Sequence, residues 1–460
     1  MRKGEIEGRL DPNYIYLSQV LKEKFKRSNY EFTNFGKCID YIQYGISSLA
    51  NTEQKGVPII RMGNLRGDEW EFSNLKHIEL SDKDLGNYKL LNGDLLFNRT
   101  NSKELVGKCA VFREKGDWVF ASYLIRVRVD EDLLLPDFAS FFLGSTVGRM
   151  QIDCLSRQII GMTNINAEEI KLIKIPIPPL EVQAQIIEKF EAAYNAKRAK
   201  EAEAKSLLDG IDAYLLERLG IETPAAIETK KTFFTRASKL SGGRFDPSFY
   251  KPNFQKLVSA LENQPYKRLH EIVKFSSETW NQKDLFENTF PYIEISEIDL
   301  SKGEINNIYQ IPIAEAPSRA KMIVRNGDII VSTTRPSRGA IARITERENF
   351  SIASTGFAVI RNVNTEFTRK QYLFSVLRHR ICLLQMEQRS SGGNYPAITI
   401  EELGNVLIPL PPLDIQEEIA AHIQSIRTRA GELERDAHRE VERARQEVER
   451  MILGEVRADA

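Results

Sequence analysis

With 460 residues, the chain exceeds what one ordinary core accommodates, and roughly two to four domains are expected. Apolar residues make up 42% and charged residues 28%, a globular composition rather than a disordered or fibrous one. Lys plus Arg equals Asp plus Glu at 64 each, which excludes a chain-wide basic field, so any basic surface must be local and offset elsewhere.

The N-terminal "MRKGEIEGRLDPNY" has no apolar core and does not read as a secretory signal. No apolar run is long enough to span a membrane. Cys38, Cys109, Cys154 and Cys382 form no CxxC pair, and their spacing suggests neither a disulfide framework nor a zinc site. They read as idle thiols in a reducing, cytoplasmic setting.

From "VPIIRM" at Val57 the chain alternates short β-rich runs with turn residues. "LLNGDLLF" carries a turn-then-strand signal at Gly93 and Asp94. "KCAVF" and "YLIRVRV" are further strands, and "DFASFFLGSTVGRMQIDCL" reads as helix. Asn166 and Glu169 have capping-box spacing and start a short helix. Then comes "IPIPPLEVQAQI" at 175–186. Pro176 and Pro178 stop any helix, while Pro179 suits the first turn of a new one and Glu181 suits its dipole. From Pro179 to about Leu219 there is no further proline and one glycine, Gly210. Ile186, Phe190, Ala193, Ala204, Leu207, Ile211 and Tyr214 recur at coiled-coil spacing, with Lys197 and Lys200 expected to weaken the seam.

The same order then returns. "RFDPSF" at Arg244 matches "RLDPNY" at Arg9, "FPYIEISEI" at Phe290 matches "VPIIRMGNL", and "IVRNGDII" brings Gly327 and Asp328 to the place of Gly93 and Asp94. Strands "DIIVSTT", "AIARI" and "GFAVIR", the helix "RKQYLFSVLRHRICLLQM" and a cap at Thr399 and Glu402 follow. "IPLPPLDIQEEI" at 408–419 repeats the proline phrase, seven of its twelve positions identical. A second long helix carries Ile419, Ile423, Ile426, Ala430, Leu433, Ala437, Val441, Ala444, Val448 and Met451 as its stripe. Its segment "ELERDAHREVERARQEVER" holds 12 charged residues in 19, and such a helix buries its apolar stripe against a partner.

The chain is therefore two copies of one unit at an offset of 233 to 235 residues. Each unit reads as an α+β globule followed by a long helix, the two helices are expected to pair as a coiled coil, and the units to be related by pseudo-two-fold symmetry. The boundaries follow as a globule at 1–178, a helix at 179–220, a linker at 221–232, a globule at 233–411 and a helix at 412–454.

Catalytic grammar is absent. There is no Asn/Asp-Pro-Pro-Tyr tetrad, no HExxH and no GxSxG, and "ELVGKCAV" lacks the upstream glycine of a phosphate-binding loop. His77, His270, His379, His422 and His438 are scattered. The informative polar segments are loops. "FNRTNSKELVG" brings together Asn98, Arg99, Thr100, Asn101, Ser102 and Lys103, and at the same place the second copy has Thr333, Thr334, Arg335, Ser337 and Arg338. "SRQIIGMTN" adds Arg157, Thr163 and Asn164, and its counterpart "RSSGGNYPA" adds Arg389, Ser390, Ser391, Asn394 and Tyr395. These are side chains that read base edges and hold phosphates. A repeated scaffold with divergent polar tips suits the reading of two different sequences.

With its paired "RLDPNY" and "RFDPSF", "NGDLLFNRT" and "NGDIIVSTT", and the two proline phrases, the chain resembles the specificity (S) subunit of type I restriction–modification systems over essentially its whole length. The resemblance implies two target recognition domains, the globules at 1–178 and 233–411, separated by the two helices as an antiparallel coiled coil and each reading half of a bipartite, asymmetric site in double-stranded DNA. It implies a non-catalytic subunit without cofactors of its own. Two methylation (M) subunits would use S-adenosylmethionine, and restriction (R) motor-nuclease subunits would use ATP and Mg. On the helices, Gln183, Ile186, Gln416 and Ile419 are the expected partner-binding positions. Alternatives are the recognition subunit of a related system that cuts on both sides of its site, or a coiled-coil scaffold that binds no DNA. A fused enzyme is disfavoured by the missing motifs.

Overall fold

The computed structural model describes residues 12–66, 69–159, 162–221, 232–234, 246–281 and 285–456. The expected linker at 221–232 lies almost wholly outside them, as do Arg9, Arg244 and Phe245 of the two unit-start motifs. The chain divides into two compact units, one of residues 1–200 with 435–460 and one of residues 201–434.

The sequence repeat is a repeat of fold. In the first unit an antiparallel sheet runs in the order Ile39–Tyr44, Leu124–Val129, Leu95–Asn98, Cys109–Val111. The second unit has Val273–Phe275, Phe357–Val363, Ile329–Ser332, Ile341–Arg343 in the same order. The NGD turns enter the sheets alike. Gly93 and Gly327 take φ of +92° and +85°, a region costly for any residue with a Cβ. The following aspartates, Asp94 and Asp328, are buried. Each carboxylate accepts from the backbone N–H three residues back, Leu91 at 2.8 Å and Arg325 at 2.9 Å. Each also holds an arginine of the neighbouring strand, Arg128 at 2.5 Å and Arg361 at 2.9 Å. A buried charge persists only when paired in this way.

In the second unit the network extends to Glu278, which accepts from Arg325 at 2.5 Å and also from Arg361. The Arg325 hydrogen bond, helped by Arg361, holds its carboxyl at about 2, against an ordinary value of 4.5. A carboxyl whose folded value lies below its unfolded one gives stability that is complete above about 4.5 and is lost as pH falls toward 2. The thermal stability of the second unit should therefore fall as pH drops across that window, and Glu278→Gln should flatten the dependence. Equal slopes for parent and variant would show that the pair contributes nothing there.

The proline phrase has one structure in both copies. Its opening residues form strands, Lys174–Pro176 paired antiparallel with Phe32–Asn34 and Leu407–Pro409 with Tyr266–Arg268. Helices then run over Leu180–Leu219 and Leu413–Ile452, each 40 residues, with Glu181 and Asp414 in their first turns. Asn166 and Glu169 close the expected capping box, with both hydrogen bonds at 2.9 Å. Its counterpart is half-formed. Thr399 Oγ1 accepts from Glu402 N at 3.1 Å, but the Glu402 carboxylate is taken by Arg389 at 2.9 Å.

In each unit one half of the first long helix lies antiparallel to one half of the second. In the first unit Lys200 pairs with Glu440 at 2.7 Å and Lys189 with Glu447. In the second unit Arg218 pairs with Glu418 at 2.6 Å, and Ala204, Ala430 and Leu433 pack together. The expected stripe of the second helix is buried at Ile419, Ile423, Ala430, Leu433, Ala437, Val441, Val448 and Met451 and half-buried at Ile426 and Ala444. Lys197 and Lys200, expected to weaken the seam, instead find carboxylates at Glu69 (3.1 Å) and Glu440. All four cysteines are buried and none is in a disulfide. Among the described residues no helix is long and apolar enough to cross a membrane.

Candidate nucleic-acid interface

The two polar loops of each unit, about 60 residues apart in sequence, meet at one tip. In the first unit Arg157–Ile159 and Met162–Asn164 form a hairpin whose second strand pairs with Thr100–Asn101, Thr163 opposite Asn101 and Asn164 opposite Thr100. In the second unit Ala397 bridges both Ser391 and Thr334. The backbone frame beneath the tips is common to both. Arg99 N donates to Tyr123 O at 3.0 Å and Ile165 N to Arg99 O at 2.9 Å. Correspondingly, Thr333 N donates to Gly356 O at 2.7 Å and Ile398 N to Thr333 O at 2.9 Å. The frame thus matches Asn98 with Ser332, Arg99 with Thr333, Thr100 with Thr334 and Asn101 with Arg335. Three of the four positions differ in side chain.

Burial sorts the expected residues. In the first tip Ser102, Lys103 and Arg157 are exposed and Asn101 is half-buried. Arg157 also pairs with Glu169 at 2.9 Å. Arg99 is half-buried, its guanidinium 5.0 Å from the Tyr44 ring centroid and donating to Ser122 O at 3.3 Å. Asn98, Thr100 and Thr163 are all buried. Asn98 Nδ2 donates to Leu105 O at 3.1 Å, which folds the loop back on its strand. Short polar residues alternate inward on such narrow strands, and these three build the tip rather than face outward. Asn164 is half-buried with a buried Oδ1 that has no hydrogen-bond partner.

In the second tip Arg338, Ser391, Asn394 and Tyr395 are exposed, while Thr333, Thr334, Arg335 and Ser337 are half-buried. Thr333 Oγ1 is spent on Gly356 O at 3.0 Å. Arg389 and Ser390 are likewise engaged inside the unit. Arg389 pairs with Glu402, and Ser390 Oγ donates to Met386 O at 2.7 Å at the end of helix Arg380–Arg389. They hold the tip on its base. Arg335 stacks on Tyr395, its guanidinium carbon 4.1 Å from the ring centroid. This pairing of residues 60 apart was not visible in the sequence, nor was the place of Tyr44 beside Arg99.

The helix positions expected to bind partners lie inside the units. Gln183, Ile186, Gln416 and Ile419 are all fully buried within their own units. Gln183 Nε2 donates to Leu133 O and Pro178 O, both at 2.9 Å, and Oε1 accepts from Leu135 N at 2.8 Å. Gln416 Nε2 donates to Phe367 O and Pro411 O, both at 2.9 Å, and Oε1 accepts from Arg369 N at 3.0 Å. Each glutamine therefore locks its long helix to its globule. Ile186 and Ile419 belong to the cores. Each of these glutamines faces inward from a helix start whose other side is exposed, at Glu181 and Ala184 or Asp414 and Glu417, and a polar residue in the sequence does not reveal which face it takes.

Comparison with known proteins agrees with this repeat. The family model described as type I restriction modification DNA specificity domain matches residues 42–207 and again 262–443. A Methanocaldococcus jannaschii protein named putative type I restriction enzyme MjaX specificity subunit is 23% identical over 459 residues, covering 95% of this chain and 99% of that protein. The Escherichia coli type I restriction enzyme EcoKI specificity subunit is 28% identical over 172 residues, 37% of each chain. A solved chain from work on complex assembly and conformational transition of the type I R-M system is 16% identical, covers 92% of this chain and 97% of that one, and has a TM-score of 0.51, a likeness of fold. With that domain matched twice over most of its length, the chain belongs to the type I restriction modification DNA specificity domain family.

Proposed function

We propose that this specificity subunit reads a bipartite, asymmetric site in double-stranded DNA, one half through each tip. The target recognition domains are residues 1–178 and 233–411. The helices of 179–220 and 412–454 set the unread interval and dock two methylation subunits. The methyl donor S-adenosylmethionine belongs to those subunits, and ATP and Mg to restriction subunits that join them, in the cytoplasm. The observation that carries this reading is the common backbone frame with divergent side chains. A scaffold shared so closely positions two tips alike, and differing tip residues then give each its own base preference. Zero net charge is compatible with it, because a basic surface can be local and the grip on phosphates shared with partner subunits.

Single-molecule methylation sequencing of cells expressing this chain with its methylation subunit, against cells lacking this chain, tests the reading. A methylated motif of two fixed blocks and an unread spacer should vanish with the chain. Persistence of the motif, or a single continuous motif, would contradict it. Asn101→Ala should relax one block by about fivefold or more at a single position and leave the other untouched, given the discrimination that a side chain paired to a base edge provides. A change in both blocks would refute the assignment of one tip to one half.

A further inference from the structure

We infer that the second tip reads a guanine, through the guanidinium of Arg335. The inference rests on the proposed DNA-reading function and concerns what that half-site contains.

Arg335 is one of three non-glycine residues with positive φ among the described residues, at φ +49° and ψ +52°. A left-handed arginine is held only where its surroundings determine it. Here its N–H donates to Pro396 O at 2.7 Å, Pro336 behind it is buried, and Gly339 closes the turn at φ +75°. The side chain is fixed as well. One Nη2 hydrogen goes to Asn394 O at 2.9 Å, and the guanidinium plane rests on the Tyr395 ring, itself 71% exposed. Four of the five guanidinium N–H groups stay available, in a set plane at the rim of the tip.

Several other arginines of this unit are consumed by protein partners, whereas Arg338, three residues on, is exposed. Arg325 and Arg361 serve Glu278 and Asp328, Arg389 serves Glu402, and Arg378 caps the carbonyls of Leu300, Ser301 and Lys302. Among the described residues no carboxylate lies within ion-pair distance of Arg335, although acidic and basic residues are equal in number over the chain. A planar fork of donors fits two acceptors side by side. On DNA these are guanine O6 and N7 or two phosphate oxygens.

The repeat favours the base. The first tip carries Asn101 where the second carries Arg335, and Asn is the side chain that matches adenine N6 and N7. Phosphates are the same in both half-sites and give no reason for a change at this place. Bases do. A fixed plane also suits a base edge, which demands orientation, more than a phosphate, which a mobile lysine can hold.

The test uses the full chain with its methylation subunit, in cells, read by methylation sequencing of the parent, Arg335→Asn and Arg335→Lys. Asn tolerates the left-handed backbone and Lys keeps the charge, so each variant preserves one feature of the tip. The parent should methylate a bipartite motif with a G·C pair at one position of the half that both variants alter. Discrimination at that position should fall about tenfold or more in both, with the other half unchanged. Four results overturn the inference: no G·C pair in that half, an unchanged motif in both variants, a uniform loss at all sites without loss of discrimination, which marks a phosphate contact, or loss of all methylation in both, which marks a structural role. A parent that methylates no bipartite motif refutes the DNA-reading function itself, a result distinct from these.

Discussion

Gln416→Ala should lower the stability of the second unit by about 3–5 kcal/mol, the cost of stranding buried polar groups plus the space left behind. The side chain is fully buried and makes three hydrogen bonds, to Phe367 O, Pro411 O and Arg369 N. Each orphaned group costs about 1–3 kcal/mol if water cannot reach it, and partial relaxation keeps the sum below the maximum. For a unit of about 230 residues this is a fall of about 10 °C in its unfolding transition. Gln416→Glu should be no milder. It keeps the acceptor for Arg369 N but points a carboxylate at two carbonyl oxygens. Gln183→Ala should act equally on the first unit, because Leu133 O, Pro178 O and Leu135 N form the same bracket. Calorimetry of the chain should therefore show one transition moving per variant. Shifts of less than about 2 °C would mean that the bracket is not what holds helix to globule.

Removal of a heptad from both long helices should shift every methylated target at once. The helices pair antiparallel, with Lys200 beside Glu440 and Lys189 beside Glu447, so deletion of 437–443 is matched by deletion of 193–199. Seven residues carry about 10 Å of helix rise. On B-form DNA that is about three base pairs. A heptad keeps the apolar stripe in phase, so pairing survives while the helices shorten. The expected motif keeps both blocks and has a spacer about three base pairs shorter, with methylation of the original sites lost. A mutant complex that assembles and still methylates the original spacing would end the idea that the helices measure it. Deletion on one helix alone breaks the pairing, and no assembled complex is expected.

The duplicated fold was legible because its signals are local and were written twice. Prolines that stop a helix, a Pro–Pro that starts one and a heptad stripe each act over a few residues, and the repeat made coincidence untenable. The tips were legible only as composition. Whether Asn98 or Asn101 faces outward depends on which strand face meets the hairpin of 157–164, a contact about 60 residues away that nothing local encodes. The stack of Arg335 on Tyr395 is equally non-local. The inward place of the glutamines was hidden for a different reason. A polar residue on an amphipathic helix normally marks its wet face, yet Gln183 and Gln416 sit where helix, turn and globule converge on carbonyls that no backbone group can satisfy. A signal was present. Their neighbours diverge, Ala184 and Gln185 against Glu417 and Glu418, while the glutamine stays the same.

The division of the chain also sets an order of assembly. The second unit is one continuous stretch, residues 201–434, whereas the first combines residues 1–200 with 435–460. Val448, Met451, Ile452 and Leu453 are buried in the same core as Leu21, Phe142 and Ile186. On the ribosome the bulk of the first unit emerges long before the piece that closes it. At about 5–20 residues per second, the wait lasts on the order of 10–50 s. Through that interval the docking face for the last helix stays open to water and to chaperones, while the second unit can finish folding. The half of the protein made first is the half completed last.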